Sequence, residues 1–138
     1  MLKILLAIFL IAHGLVHSGL AVAPNPADPN AKAGAFFTTV ERSWLLSQMG
    51  LSGTAVRWIG ICLVVLSTLG FIFAGLGILG LVGLSEIWRT VAMISAGLSM
   101  LLLILFWHPW LPIGVLINIG TLIALLWAKW PSQTVIGS

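Results

Sequence analysis

The chain has 138 residues, 60% of them hydrophobic and only 7% charged, a balance that points to an integral membrane protein rather than a soluble domain. Six basic and three acidic side chains give a formal net charge of +3, too few cations for a phosphate-binding face, which excludes nucleic acid as a partner. The single cysteine, Cys62, rules out an intrachain disulfide or a CxxC motif and reads as a small buried hydrophobe.

A membrane-crossing helix needs about 20 mainly apolar residues, and the first such run extends from about residue 2 to 23. It contains two ionisable groups, His13 and His17, in the sequence IAHGLVHSGL. When charged, such groups cost roughly 2.5 to 3.5 kcal/mol at the centre of a spanning helix and usually face protein or water. Lys3, the apolar run and Ala21-Val22-Ala23 together imitate a secretory signal, but Pro24 immediately after the small residues disfavours cleavage, so the run is read as a retained span.

A long connection follows, from Pro24 to about Thr54. It opens with PNPADPNAKAG, whose prolines and asparagines favour turns over a continuous helix. From Thr39 onward the segment VERSWLLSQMG mixes apolar and polar residues at roughly helical spacing, which predicts a short amphipathic helix in the membrane interface.

Three further spans are predicted at about residues 55–81, 87–108 and 110–130. A short glycine-rich turn joins the first two of these, with Ser85 placed to cap the next helix and Glu86 near its N-terminus. Glu86 and Arg89 are spaced to pair on that helix. The last two spans form a tight hairpin around FWHPW, where Pro109 disfavours helical geometry at His108.

Small residues recur at four-residue intervals as Gly70 and Ala74, Ala92 and Ala96, and Gly120, Ala124 and Ala128. Such ridges allow close helix approach, within one chain or against another membrane protein or a second copy. All seven tryptophans fall near predicted span ends, as an aromatic belt requires. Both termini then share one side with Lys3, Arg89 and Lys129, against Lys32, Arg42 and Arg57 in the long loop. This charge tie is resolved toward cytoplasmic termini, in a bacterial-type inner membrane, because the terminal cations flank short segments.

This topology places His13 near mid-membrane, with Asn118 at comparable depth and His17 about 6 Å nearer the loop side. His13 and His17 project from similar faces, being four residues apart. His108 lies about 14 Å from the depth of His13, so only His17 pairs with it readily. Two readings follow for His17, His13, His108 and Asn118. They line a pocket beneath the long loop for quinone, haem or metal, or the first two bond between helices to carbonyls, Asn118, Ser95 or Ser99. His13 and His17 on one helix cannot clamp a single haem iron from both faces. No nucleophile–base–acid spacing and no phosphate loop is present in the sequence.

With these spans in place, the chain resembles the DoxX-like small membrane proteins. They share a compact four-helix plan and a first helix with a polar His-Gly element like Ala12-His13-Gly14-Leu15. The similarity covers the overall plan across most of the chain and implies association with membrane redox or quinone-linked complexes. The long proline-rich loop and the missing cysteine pair depart from redox-active relatives. The expected fold is therefore all-α, a single bundle of four transmembrane helices. Its expected role is a non-catalytic accessory or scaffold subunit needing no cofactor, with a redox-linked or ligand-binding protein as the alternative.

Overall fold

The computed structural model describes residues 1–22, 43–81, 83–107, 111–132 and 136. These are helical and contain no strand. Helix α1 spans Leu2–Val22, the short α2 Trp44–Gln48, α3 Gly53–Leu79, α4 Trp88–Leu105 and α5 Pro112–Leu122, which continues into a π-helical turn, Ile123–Trp127. Three of them, α1, α3 and α4, are long and apolar enough to cross a membrane. The fourth predicted span is the shorter apolar segment Pro112–Trp127. Pro112 occupies the first turn of α5, where its missing N–H costs nothing. At the other end the hydrogen bonding widens, with Ala128 N–H donating to Ile123 O.

Local chemistry sets the ends of α3. The Ser52 hydroxyl accepts from Ala55 N–H at 3.3 Å and caps the start. At the end Gly80 adopts φ +97°, and the amides of Gly80 and Leu81 return to the carbonyls of Gly77 and Leu76. This is the Schellman arrangement, which favours glycine because its left-handed backbone carries no Cβ.

The expected Ser85 cap is not formed. Helix α4 begins at Trp88, with Ile87 at the cap position and no side-chain cap. Residues 83–87 instead close a turn in which the Leu84 and Ser85 amides bond to Leu81 O. Arg89 does not turn to Glu86 either. Its guanidinium donates to the carbonyls of Leu125, Lys129 and Pro131 at 3.2, 3.1 and 2.8 Å, satisfying acceptors left open where the last helix ends. Cys62, expected to be buried, is exposed on the outer side of α3.

Packing proceeds from α1 to α3, α3 to α4 and α4 to α5. Neighbours run antiparallel, as the contacts of Gly14 with Thr68 and of Gly75 with Ala7 show for α1 and α3. A Cβ at Gly14 would stand 2.9 Å from both Phe71 Cβ and Thr68 O, and one at Gly75 2.9 Å from Ala7 O. Gly70 likewise lies against Ser95 of α4. The ridges Gly70–Ala74 and Ala92–Ala96 are thus spent inside the chain, with Ala74, Ala92 and Ala96 fully buried.

Two apolar clusters flank the polar centre. One gathers Val56, Leu63, Leu102, Leu103 and Phe106 toward the loop end, and the other Ala7, Leu10, Phe71, Ile78 and Trp88 toward the termini. Trp88 therefore belongs to the core, while Trp44, Trp58, Trp107, Trp127 and Trp130 are exposed. The predicted loop helix is described only from Ser43. Its five-residue α2 inserts Leu46 into the first cluster, and Trp44 Nε1 donates to Ile104 O at 2.9 Å.

Candidate functional site

Depth alone places His13, Asn118, His17 and Ser99 within one layer, and the structure joins them. His13 Nε2 lies 3.0 Å from Asn118 Oδ1, Asn118 Nδ2 2.6 Å from Ser99 Oγ, and His17 Nε2 2.6 Å from Ser99 Oγ. His17 Nδ1 is 2.9 Å from the His13 carbonyl oxygen. All four residues are buried, His17 with 3% of its surface exposed and Asn118 with none.

The directions of these bonds follow from the inventory of donors and acceptors. A carbonyl only accepts, so His17 carries its proton on Nδ1, and in a neutral imidazole Nε2 must then accept. Ser99 therefore donates its hydroxyl proton to His17 Nε2 and receives Asn118 Nδ2–H on the same oxygen. Asn118 Oδ1 remains to accept His13 Nε2–H. Donation runs in one sense from His13 through Asn118 and Ser99 to His17, and ends on the backbone of His13. The two histidines are opposite tautomers.

Three helices are stitched by this ring, because His13 and His17 belong to α1, Ser99 to α4 and Asn118 to α5. Interhelical side-chain bonds in membranes average about 0.6 kcal/mol, so the three that cross helices contribute roughly 2 kcal/mol together. Helix α3 is attached beside the ring. Thr68 Oγ1 donates to Gly14 O at 3.1 Å and, its own proton being used, accepts from Ser18 Oγ at 2.9 Å. The absent Cβ of Gly14 permits that approach.

Aromatic rings wall the site. Phe71, fully buried, meets His13 edge to face at 4.7 Å between centroids and stacks on His17 at 6.1 Å. Phe9 stacks over His13 at 6.1 Å. The two imidazoles meet edge to face at 5.1 Å.

His13, His17 and Asn118 thus come together, whereas His108 lies outside the described residues, as do Asp28 and Glu41 of the long loop. Ser95 does not join the ring, since its hydroxyl donates to Val91 O at 2.7 Å. The recess at the loop end of α1 is lined by Ser18, Val22, Arg57 and Val64, among others, and does not include His17. Among the described residues, no three His, Cys, Asp or Glu side chains converge as metal ligands. Sequence reasoning missed Thr68 and Ser18, although two hydroxyls at histidine depth in apolar helices were a usable signal. It also missed the attachment of Arg89 to three carbonyls, for which a backbone target leaves no sequence signal. Comparison with protein-family models, curated proteins and solved structures returned no match.

Proposed function

We propose that the chain is a four-span integral membrane protein serving as a non-catalytic accessory or scaffold subunit, with Pro112–Trp127 as its fourth span. One observation carries this reading: His13 Nε2, Asn118, Ser99 and both ring nitrogens of His17 are bonded within one closed set at the centre. His17 uses both ring nitrogens, Ser99 both donates and accepts, and Asn118 bridges to His13. Such a ring fastens helices, and a metal or haem approaching His17 would first have to break its bond to Ser99 or to the His13 carbonyl.

A segment shorter than the bilayer is accommodated by local thinning or by flanking residues that reach the interface. Lys3, Arg89 and Lys129 lie at the same end as the termini and, although the long loop carries as many cations, they flank short segments, from which a cytoplasmic location for that end is proposed. The partner face would be the outer stripe of the last helix, where Ile113, Leu116, Ile119, Ile123 and Leu126 are exposed at helical spacing. Membership among the DoxX-like proteins, suggested by the His13-Gly14 element of α1, and an association with membrane redox complexes are part of this proposal.

Mass and optical spectrum, measured together on protein extracted in mild detergent, test the proposal. A stable assembly larger than one chain without a haem band supports it. A strictly monomeric particle carrying stoichiometric haem or metal overturns it.

A further inference from the structure

Helices α1 and α5 meet at the His13–Asn118 bond, and on the terminal side of that bond they part around a recess of about 320 Å³. Phe9 and Leu10 of α1, Trp88 of α4, and Gly120, Thr121 and Ala124 of the last helix line it. A Cβ added at Gly120 meets no atom within 4 Å, so the small-residue ridge of this helix faces open space, unlike the two ridges used inside the chain. The walls are apolar apart from Thr121 and the indoles of Trp88 and Trp130. Buried water needs two to four polar partners, which such walls do not supply, so hydrocarbon is the natural filling.

Shape narrows the choice. The recess runs along the last helix from Ile117 to Leu125, roughly 12 Å at 1.5 Å per residue. That length approaches the roughly 15 Å depth of one leaflet. One extended hydrocarbon chain of a lipid, which runs through a single leaflet, matches that length.

The two ends differ. The deep end is closed by Phe9 stacked on His13 and by the His13–Asn118 bond. At the shallow end Arg89 holds the carbonyls of Lys129 and Pro131, and Lys3 lies one turn before the lining residue Leu6. The Lys3 ammonium is 3.8 Å from where a Gly80 Cβ would stand, placing it at this same end. Among the described residues, this end thus carries three cationic side chains, Lys3, Arg89 and Lys129, and one carboxylate side chain, Glu86.

From this combination we propose that the cleft between α1 and α5 binds one acyl chain of an anionic phospholipid. Its tail extends toward Phe9, and its phosphate rests among Lys3, Lys129 and Arg89. Basic recesses between helices at the cytoplasmic side recognise such headgroups, whose phosphate charge is stabilised near clustered cations.

The test is native mass spectrometry of the delipidated full chain titrated with phosphatidylglycerol or phosphatidylcholine of identical acyl chains. One phosphatidylglycerol should be retained per chain, at a concentration roughly fivefold lower than phosphatidylcholine requires. Gly120→Leu and Ala124→Leu, which fill the cleft, should remove retention of both lipids. Lys3→Gln with Lys129→Gln should erase the preference while leaving chain binding in place. Thr121→Leu provides a second filling variant if the first two do not fold, and Ile123→Leu on the outer face should change nothing. Equal retention by the wild-type and folded filled variants overturns the proposal, as does the absence of any headgroup preference in the wild type. A wild-type dimer that the filling variants dissociate also overturns it, because the occupant would then be a second copy.

Discussion

His17 Nε2 and Ser99 Oγ, 82 residues apart in sequence, lie 2.6 Å apart in the buried layer shared by α1, α4 and α5. The bond has a defined direction because His17 Nδ1 is committed to the His13 carbonyl. Running the ring in the opposite sense would require protons on both nitrogens of His17. A cation there would have no carboxylate within the ring to balance it, and uncompensated charge in such surroundings is costly. Neutral histidines and a one-way chain of donors are therefore one property seen from two sides.

Asn118 is the member with most to lose. Asn118→Leu retains side-chain volume but orphans His13 Nε2–H and removes the donor to Ser99. Destabilisation of roughly 2 to 3 kcal/mol is expected, read from reversible unfolding in bicelles. A double-mutant cycle with His13→Phe should return a coupling of about 0.6 kcal/mol or more. Additive effects would show that the bond contributes nothing.

Close approach of α1 to α3 depends on Gly14. Gly14→Ala places a methyl 2.9 Å from a backbone oxygen that has no rotamer with which to escape. Overpacking of this kind costs typically 1 to 3 kcal/mol, and separation of the helices should also weaken the Thr68 bond to Gly14 O. Gly97, whose added Cβ meets nothing within 4 Å, supplies the control: Gly97→Ala should be neutral or stabilising in the same unfolding assay.

Much of the fold was legible because length and hydropathy act residue by residue. Spans expected at 2–23, 55–81 and 87–108 correspond to α1, α3 and α4, with end shifts set by Ser52, Gly80 and the turn before Trp88. The predicted layer of His13, His17 and Asn118 followed from counting rises along helices. Bonding partners were less accessible, because choosing Ser99 over Ser95 depends on helix rotation, which depth does not fix. Cys62 was misread for the same reason. Composition places it in an apolar span, but only packing decides whether it faces protein or bilayer. The Glu86–Arg89 pairing failed because three unpaired carbonyls offered the guanidinium more than one solvated carboxylate.

Ser67 gives a prediction of opposite sign. Its hydroxyl is fully buried in α3 and has no hydrogen-bond partner among the described residues. An unmade bond at a buried polar group costs about 1 to 3 kcal/mol, so Ser67→Ala should be neutral or raise the unfolding midpoint. A loss of more than about 1 kcal/mol would indicate a partner for this hydroxyl.

Arg89 should act on the last turn rather than on the centre. Arg89→Met keeps the apolar stem and removes the donors to Leu125, Lys129 and Pro131. Hydrogen exchange should quicken across residues 123–132, while amides around Ser99 and Asn118 keep their protection. Uniform loss of protection would show that the guanidinium supports the whole molecule.

The most direct test is ¹⁵N NMR of the two imidazoles in protein labelled at histidine and held in bilayers near neutral pH. His17 should carry its proton on Nδ1 with Nε2 unprotonated, and His13 should carry its proton on Nε2. Ser99→Ala should shift His17 Nε2 while leaving the tautomer of His17 unchanged. Finding His17 protonated on Nε2 alone, or both histidines in the same tautomer, would contradict a closed ring that binds α1, α4 and α5.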